Sequence, residues 1–439
     1  MSNSKERFIN KRVLCISMEK EKLRQILTDQ QKFYKKQEDL IERTIDLAYY
    51  LKGNEIIIVS GIRRCGKSSL LKLISKKIQT KKIFINFDDI RFVDFTVDNF
   101  QDIEDLIIEM VGTEKVTYFL DEIHNVDLWQ KWVNNLYAKN IKVFVTGSNS
   151  TLLSSEIASY LTGRNKVIQL FPFSFKEYLH MKGMKNLTVQ KLASSELARL
   201  YSLFMQYFTK GGFPLVIKND DLELTRQYFD DILNKDVINR YKIKEVKELK
   251  DIILYLFTNI GSCNSYSTLK KISDIKSLST IKNYIDYLQN VYLLYAIRRF
   301  DYSIKKQKIS SLKTYAGDTS FLKTVAFNFS ENKGKRLENV VFLQLKRQGH
   351  DIYYHHEKKE CDFVIKEHVN IKEVIQVSLS LQNPITKTRE VDGLLEAMKK
   401  YTLDKGLILT MEDEDIIQKG DKKIIIKPVW KWLLEHEHY

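Results

Sequence analysis

The run Gly61-Ile62-Arg63-Arg64-Cys65-Gly66-Lys67-Ser68-Ser69 constrains this chain more than any other segment. It fits the spacing G-x-x-x-x-G-K-[ST] and is entered by the β-branched run Ile56-Ile57-Ile58-Val59-Ser60 and left by Leu70-Leu71-Lys72-Leu73-Ile74, a helical pattern. Glycines at both ends let backbone N–H groups turn inward on an anion, and the helix N-terminus adds partial positive charge. Gly61, Arg64, Cys65, Gly66, Lys67, Ser68 and Ser69 are therefore the expected nucleotide-binding residues. Lys67 is expected to reach the β- and γ-phosphates, and Ser68 to hold Mg²⁺. The cofactors implied are ATP and Mg²⁺.

Three more short apolar runs, KKIFINFDD, VTYFLDE and IKVFVTGSN, alternate with helical sequence, which implies a parallel sheet buried on both faces. The run VTYFLDE ends in Asp121 and Glu122, 54 positions after Lys67 at the first acid. Acids at the carboxyl end of a buried strand lie in the crevice where open α/β sheets bind ligands. Asp121 is expected to hold Mg²⁺ through water, and Glu122 to polarise the attacking water. The alternative is an acidic helix start. In VFVTGSNS, Ser148 is the expected sensor of the γ-phosphate, with Asn149 second; the competing reading is a turn with an N-cap. Arg164, in Leu161-Thr162-Gly163-Arg164, is expected to reach a nucleotide in a neighbouring subunit of a homo-oligomer, against the alternative of a solvated helix-end arginine.

A length of 439 residues suggests two to four domains. The expected divisions are a helical segment at 1–45, a P-loop domain at 46–182, a helical lid at 183–245, a winged helix-turn-helix at 246–312 and a further α/β domain at 313–439. The winged helix is read from three helical runs followed by two strand-like ones, YLLYAIRRF and QKISSLKTY. Its third helix carries few base-reading side chains, only Lys282, Asn283 and Gln289, and Arg298, Arg299, Lys305, Lys306 and Lys308 follow as phosphate contacts.

The net charge of +15 favours anionic partners, and between Arg298 and Arg347 basic residues outnumber acidic ones 12 to 4. DNA of low sequence specificity is the expected partner; the alternative is a packing module with a solvated basic face. Four separated cysteines form no CxxC pair, and no stretch offers about 18 apolar residues in a row, so a cytoplasmic protein with no membrane span is expected. His355-His356 read as strand-end histidines, without zinc.

The motifs GIRRCGKSS, FLDEIH, TGSNSTLLS, LTGR, PFSFKEYL and GGFP resemble, in this order, those of the prokaryotic AAA+-type ATPases with a C-terminal domain of unknown function. NKDVINR, YAGDTSFL, LENVVFLQLKRQG, ECDFVI and IQVS extend the likeness over nearly the whole chain. The resemblance implies a P-loop α/β domain with helical lid, then a C-terminal domain similar to the restriction-endonuclease, PD-(D/E)xK, fold. That fold's metal site would fall on Glu338, Asp362 and Gln376, but position 378, where it needs lysine, is Ser. A serine removes the cation that stabilises the developing charge, so a vestigial site is expected, which leaves DNA binding through the fold open; the alternative is that Glu338 and Asp362 are structural.

The function expected is an ATPase that acts on DNA in repair, recombination or branched-DNA remodelling. The alternatives are an ATP-dependent signalling or defence switch working through a protein partner, and an ATP-gated nuclease.

Overall fold

The computed structural model describes residues 18–36, 39–112, 114–148, 161, 163–185, 187, 191–325 and 332–435. Strands β1 (Ile56–Ser60), β2 (Lys81–Asn86), β3 (Val116–Asp121), β4 (Lys142–Gly147) and β5 (Asn165–Gln169) form one parallel sheet in the order β2-β3-β4-β1-β5. Alternate residues of each strand feed two cores. Ile57, Val59, Phe119 and Phe144 pack with Leu70, Leu71 and Ile74 of the helix Lys67–Ser75. Ile56, Ile58, Leu120 and Val145 pack on the opposite face with Ile103, Leu106 and Trp132. Burial on both faces is why these strands read as continuous apolar runs.

Edge strand β2 is closed by the helix Lys20–Tyr34. Gln31 donates to Phe84 O at 2.6 Å and accepts from Phe84 N at 3.0 Å, and Gln30 treats Asn86 likewise at 3.1 and 2.9 Å. Two side-chain amides thus stand in for a neighbouring strand and protect the edge. A short helix, Leu47–Leu51, capped by Asp46, precedes β1. Residues just before that helix take no helical form and are held by tertiary contacts, because Thr44 N and Oγ1 and the Arg43 guanidinium all bond the Glu177 carboxylate.

The stretch expected to form a helical lid holds helices Ser194–Lys210, Pro214–Asn219 and Glu223–Asp231, the last continuing as a π-helix, Ile232–Asn239. Next come the helix Val246–Thr258, β6 (Cys263–Asn264), helices Tyr266–Ile272 and Leu278–Asn290, β7 (Leu294–Arg298), the helix Ile304–Ile309 and β8 (Leu312–Ala316), with antiparallel order β6-β8-β7. QKISSLKTY is therefore not one strand: the short helix Ile304–Ile309, capped by Ser303, covers its first part. The boundary expected at 312/313 falls inside β8, whose residues through Ala316 pair with β7.

The helix Lys333–Arg347 leads into a six-stranded sheet of β9 (Asp351–His356), β10 (Glu360–Glu367), β11 (Asn370–Val377), β12 (Lys405–Thr410), β13 (Asp415–Lys419) and β14 (Lys422–Pro428), in the order β13-β14-β12-β11-β10-β9. The helix Pro384–Lys400 makes the crossover from β11 to the parallel β12. The β13–β14 hairpin was not anticipated from the sequence.

Strand β8 joins the halves. Leu312 and Ala316 belong to the core that contains the phosphate loop, whereas Tyr315 stacks on Phe342 at 4.2 Å in the C-terminal core. The motif residues fix the same junction: Asp318 accepts from Gly212 N at 2.8 Å, and Arg347 donates to Pro172 O and Phe173 O at 3.2 and 3.3 Å.

Candidate nucleotide site

The phosphate loop follows β1 at the carboxyl edge of the first sheet. Gly66 has φ 102°, strained for any L side chain, and a Cβ on Gly61 would lie 2.1 Å from Leu170 O. Both glycines are therefore required by the turn itself. From outside, Arg43 pins the loop by donating to Cys65 O at 3.2 Å and Phe171 O at 2.6 Å while paired with Glu177 at 2.8 Å. Burial pushes the Cys65 thiol up, so it is an inert packing group. The Arg64 side chain is exposed and lies over the Tyr228 ring of the lid. Ser69 is half-buried.

Lys67 is buried, donating to Gly61 O at 3.1 Å and Ile62 O at 3.4 Å, with Glu122 Oε1 3.6 Å away. Asp121 and Glu122 close β3 next to it. The Thr146 hydroxyl of β4 donates to Asp121 and accepts from Glu122 N at 2.9 Å, so one side chain orients both acids. Ser68 also hydrogen-bonds Asp121. Burial, with the Glu122 charge, raises the Asp121 pKa against the pull of Ser68 and Thr146. For Glu122 burial pushes up, but the charges of Lys67, His124 and Arg63 prevail and hold it below the usual carboxylate range. Glu122 thus stays ionised at neutral pH, as a base must.

The residues fit a triphosphate with Mg²⁺. Glu122 Oε2 and His124 Nδ1 are buried and face each other at 3.3 Å without hydrogen-bond geometry, and Ser148 Oγ is buried with no hydrogen-bond partner. Buried polar atoms are normally satisfied, and these three sit at the carboxyl ends of β3 and β4, where a ligand would complete them. Ser148 directly follows β4; Asn149 lies outside the described residues. Arg164 is not part of this site within its own chain. Its carbonyl accepts from Ile56 N at 2.8 Å at the amino end of the sheet, and its side chain hydrogen-bonds Asn134 over the Tyr137 ring.

Sequence reasoning missed several participants. Asp236, on the π-helix of the lid, grips Arg63 of the phosphate loop through two bonds of 2.8 and 2.9 Å. Tyr292 OH meets Ser60 Oγ at 2.7 Å, connecting β1 to the unit that carries β7 and β8. His124 and Thr146 were within reach, since both lie in motifs already singled out; nothing local marks Asp236 or Tyr292.

The three C-terminal residues also meet. Glu338 and Asp362 are both bonded by Lys313 of β8, at 3.2 and 2.9 Å. Gln376 accepts from Asp362 N at 3.1 Å and donates to Glu390 at 2.5 Å. Ser378 bonds its own loop at Ser380 O. His355 Nε2 contacts Glu396 at 3.1 Å and its Nδ1 Tyr401 OH at 3.0 Å, whereas His356 is exposed.

Comparison with known proteins places this geometry. Residues 53–179 match the AAA domain family, and residues 201–332 match a domain of unknown function. An uncharacterized protein of Methanocaldococcus jannaschii is 35% identical over 422 residues, covering 91% of this chain and 92% of that protein. The chain belongs to the family of that protein. An uncharacterized protein of Haemophilus influenzae is 32% identical over 397 residues, covering 87% of this chain and 94% of that one. Among solved structures, the Walker-type ATPase of Pyrococcus abyssi is similar with a TM-score of 0.41 and 17% identity, over 66% of this chain and 97% of that chain. The Holliday junction branch migration motor of Thermotoga maritima gives 0.27 and 14%, over 56% and 82%. The AAA match and the loop geometry make the first sheet that of an AAA-type P-loop ATPase. Among the described residues no helix is long and apolar enough to cross a membrane.

Proposed function

We propose that this protein hydrolyses ATP and uses the cycle to act on DNA. The observation that carries the hydrolytic part is the juxtaposition of Lys67 with Glu122 at 3.6 Å, beside an Asp121 oriented by Thr146 and Ser68. Gly61 to Ser69 would hold the triphosphate, and Ser68 and Asp121 the Mg²⁺, which when bound neutralises phosphate charge. Glu122 accepts the proton of the attacking water, and Lys67 exchanges its loop carbonyls for phosphate oxygens. Arg63, tied to Asp236, carries any movement of the loop to the lid. Arg164, remote from its own site, is the residue we assign to a neighbouring subunit's nucleotide.

The DNA part is supported by the unit spanning Val246 to Ala316, whose helix order and β7–β8 pair suit a winged helix. Lys305, Lys306 and Lys308 are exposed on its wing, while Lys282 and Asn283 are exposed on the helix Leu278–Asn290. Three of the expected contacts serve other ends. Gln289 accepts from Ala296 N, Arg298 donates to Lys308 O, and Arg299 donates to His356 O. Few base-reading groups remain, which favours backbone contact without sequence preference. The C-terminal domain suits a restriction-endonuclease-like fold with no lysine at 378. ATP turnover measured at low salt with single-stranded, duplex and branched DNA should rise with at least one form; a rate unchanged by all three would remove the DNA part and favour a switch with a protein partner.

A further inference from the structure

Lys313 is wholly buried, and its ammonium meets three carboxylates: Glu360 at 2.6 Å, Asp362 at 2.9 Å and Glu338 at 3.2 Å. An ammonium has three protons, and each has its own acid. The remaining oxygens of the two buried acids are also taken. Lys335 Nζ donates to Glu338 Oε2 at 2.9 Å, Tyr315 OH to Glu338 Oε1 at 2.7 Å, and Val377 N to Asp362 Oδ2 at 3.0 Å.

A divalent ion bound at roughly 2.0 to 2.6 Å would have to displace or crowd these donors, which already engage every oxygen of both acids. It would also have to enter beside the buried Lys313 ammonium and the half-buried Lys335. Glu338, Asp362 and Gln376 therefore do not fit the metal that the endonuclease resemblance implies. Lys313, supplied by β8 from outside the C-terminal domain, is the counter-charge instead. Burying an ammonium costs several kcal/mol unless it is paired and bonded, and here it is both.

Above the cluster opens a cavity of about 1380 Å³. Lys333, Lys335, Lys358, Lys359 and Arg389 line it, and Glu338, Asp362 and Gln376 form part of its wall. A wall of bare carboxylates would repel a phosphate chain. With Lys313 and Lys335 set against Glu338, Glu360 and Asp362, and Arg389 against Glu390, one net negative charge remains, and Lys333, Lys358 and Lys359 together exceed it. Lysines around a groove recognise the regular charge of a nucleic-acid backbone.

We infer that this pocket is a metal-independent binding site for a phosphodiester backbone, with Lys313 as its built-in cation. The ligand rests on the DNA reading above; the cation does not. Calorimetric titration of nucleotide-free protein with Mn²⁺ tests the cation. Wild type and Asp362→Asn should give the same isotherm, and Lys313→Met should gain a Mn²⁺ site. A wild-type Mn²⁺ site abolished by Asp362→Asn would overturn the inference even if Lys313→Met fails to fold.

The ligand is tested by fluorescence anisotropy of a labelled duplex. Affinity should be equal in EDTA and in Mg²⁺ and fall about tenfold in Lys358→Glu/Lys359→Glu, with ATP binding unchanged. Affinity lost in EDTA, or unmoved by that double variant, would overturn the assignment. Loss of all DNA binding only in Lys305→Glu/Lys306→Glu would sink the pocket and leave the DNA reading standing; no binding to any DNA by wild type would sink both.

Discussion

Replacing Glu122 by Gln keeps the shape of the nucleotide site and removes one charge. The carboxylate lies 3.6 Å from the Lys67 ammonium and is kept ionised by Lys67, His124 and Arg63 against its burial. A positioned general base contributes about 10²- to 10⁴-fold to rate. At 1.36 kcal/mol per factor of ten, that is about 3 to 5 kcal/mol of barrier, so turnover in Glu122→Gln should fall at least about 100-fold. Binding should survive. Two unit charges about 4 Å apart attract by about 4 kcal/mol at an effective dielectric constant of 20, so loss of the carboxylate releases Lys67 for phosphate rather than impairing it. The contact from Glu122 N to Thr146 Oγ1 is a backbone one and persists in the variant. Phosphate release at saturating ATP measures the first effect, and titration with a fluorescent nucleotide the second. Wild-type turnover in Glu122→Gln would refute the base, and lost nucleotide affinity would show instead that Glu122 acts by positioning Lys67.

Other perturbations separate the remaining contacts. Lys67→Ala should weaken nucleotide binding by at least about 100-fold, since it removes the one buried ammonium in the loop; calorimetry with ATP and Mg²⁺ reads this directly. A double-mutant cycle on Arg63→Ala and Asp236→Ala, scored by urea midpoints, should return a coupling of about 1.5 to 3 kcal/mol for the two charged hydrogen bonds. Additive effects would deny the lid–loop tie. Asp318→Ala leaves Gly212 N and Ser320 N without acceptors in a buried turn and should cost about 3 kcal/mol; an unchanged urea midpoint would refute that reading. Burial lowers the His355 pKa, so the unfolded chain takes up its proton first as pH falls below about 6.5. Wild type should therefore lose stability relative to His355→Gln between about pH 7 and 5.5, as followed by urea denaturation.

The phosphate loop and the acid pair were legible because their chemistry is local. Gly61 to Ser69 needs only a strand before it and a helix after it, and Asp121-Glu122 needs only the end of a buried strand. Motifs whose partners lie elsewhere gave no such reading. NKDVINR holds Asp236, whose role is fixed by Arg63, 173 positions earlier. YAGDTSFL holds Asp318, which serves Gly212, 106 positions away. The missing lysine at 378 marked the C-terminal site as incomplete, and nothing near Ser378 pointed to Lys313.

Periodicity and spacing, which depend on neighbours in the chain, determined by themselves the parallel sheet, the nucleotide loop and the existence of a second α/β region. The tertiary structure alone decided that Tyr292 would touch Ser60, that Arg164 would lie at the far end of its own sheet, and that one lysine of β8 would join three acids. The physical reason is that a buried charge is tolerated only where its partners converge in space, and convergence across domains leaves no mark on local sequence.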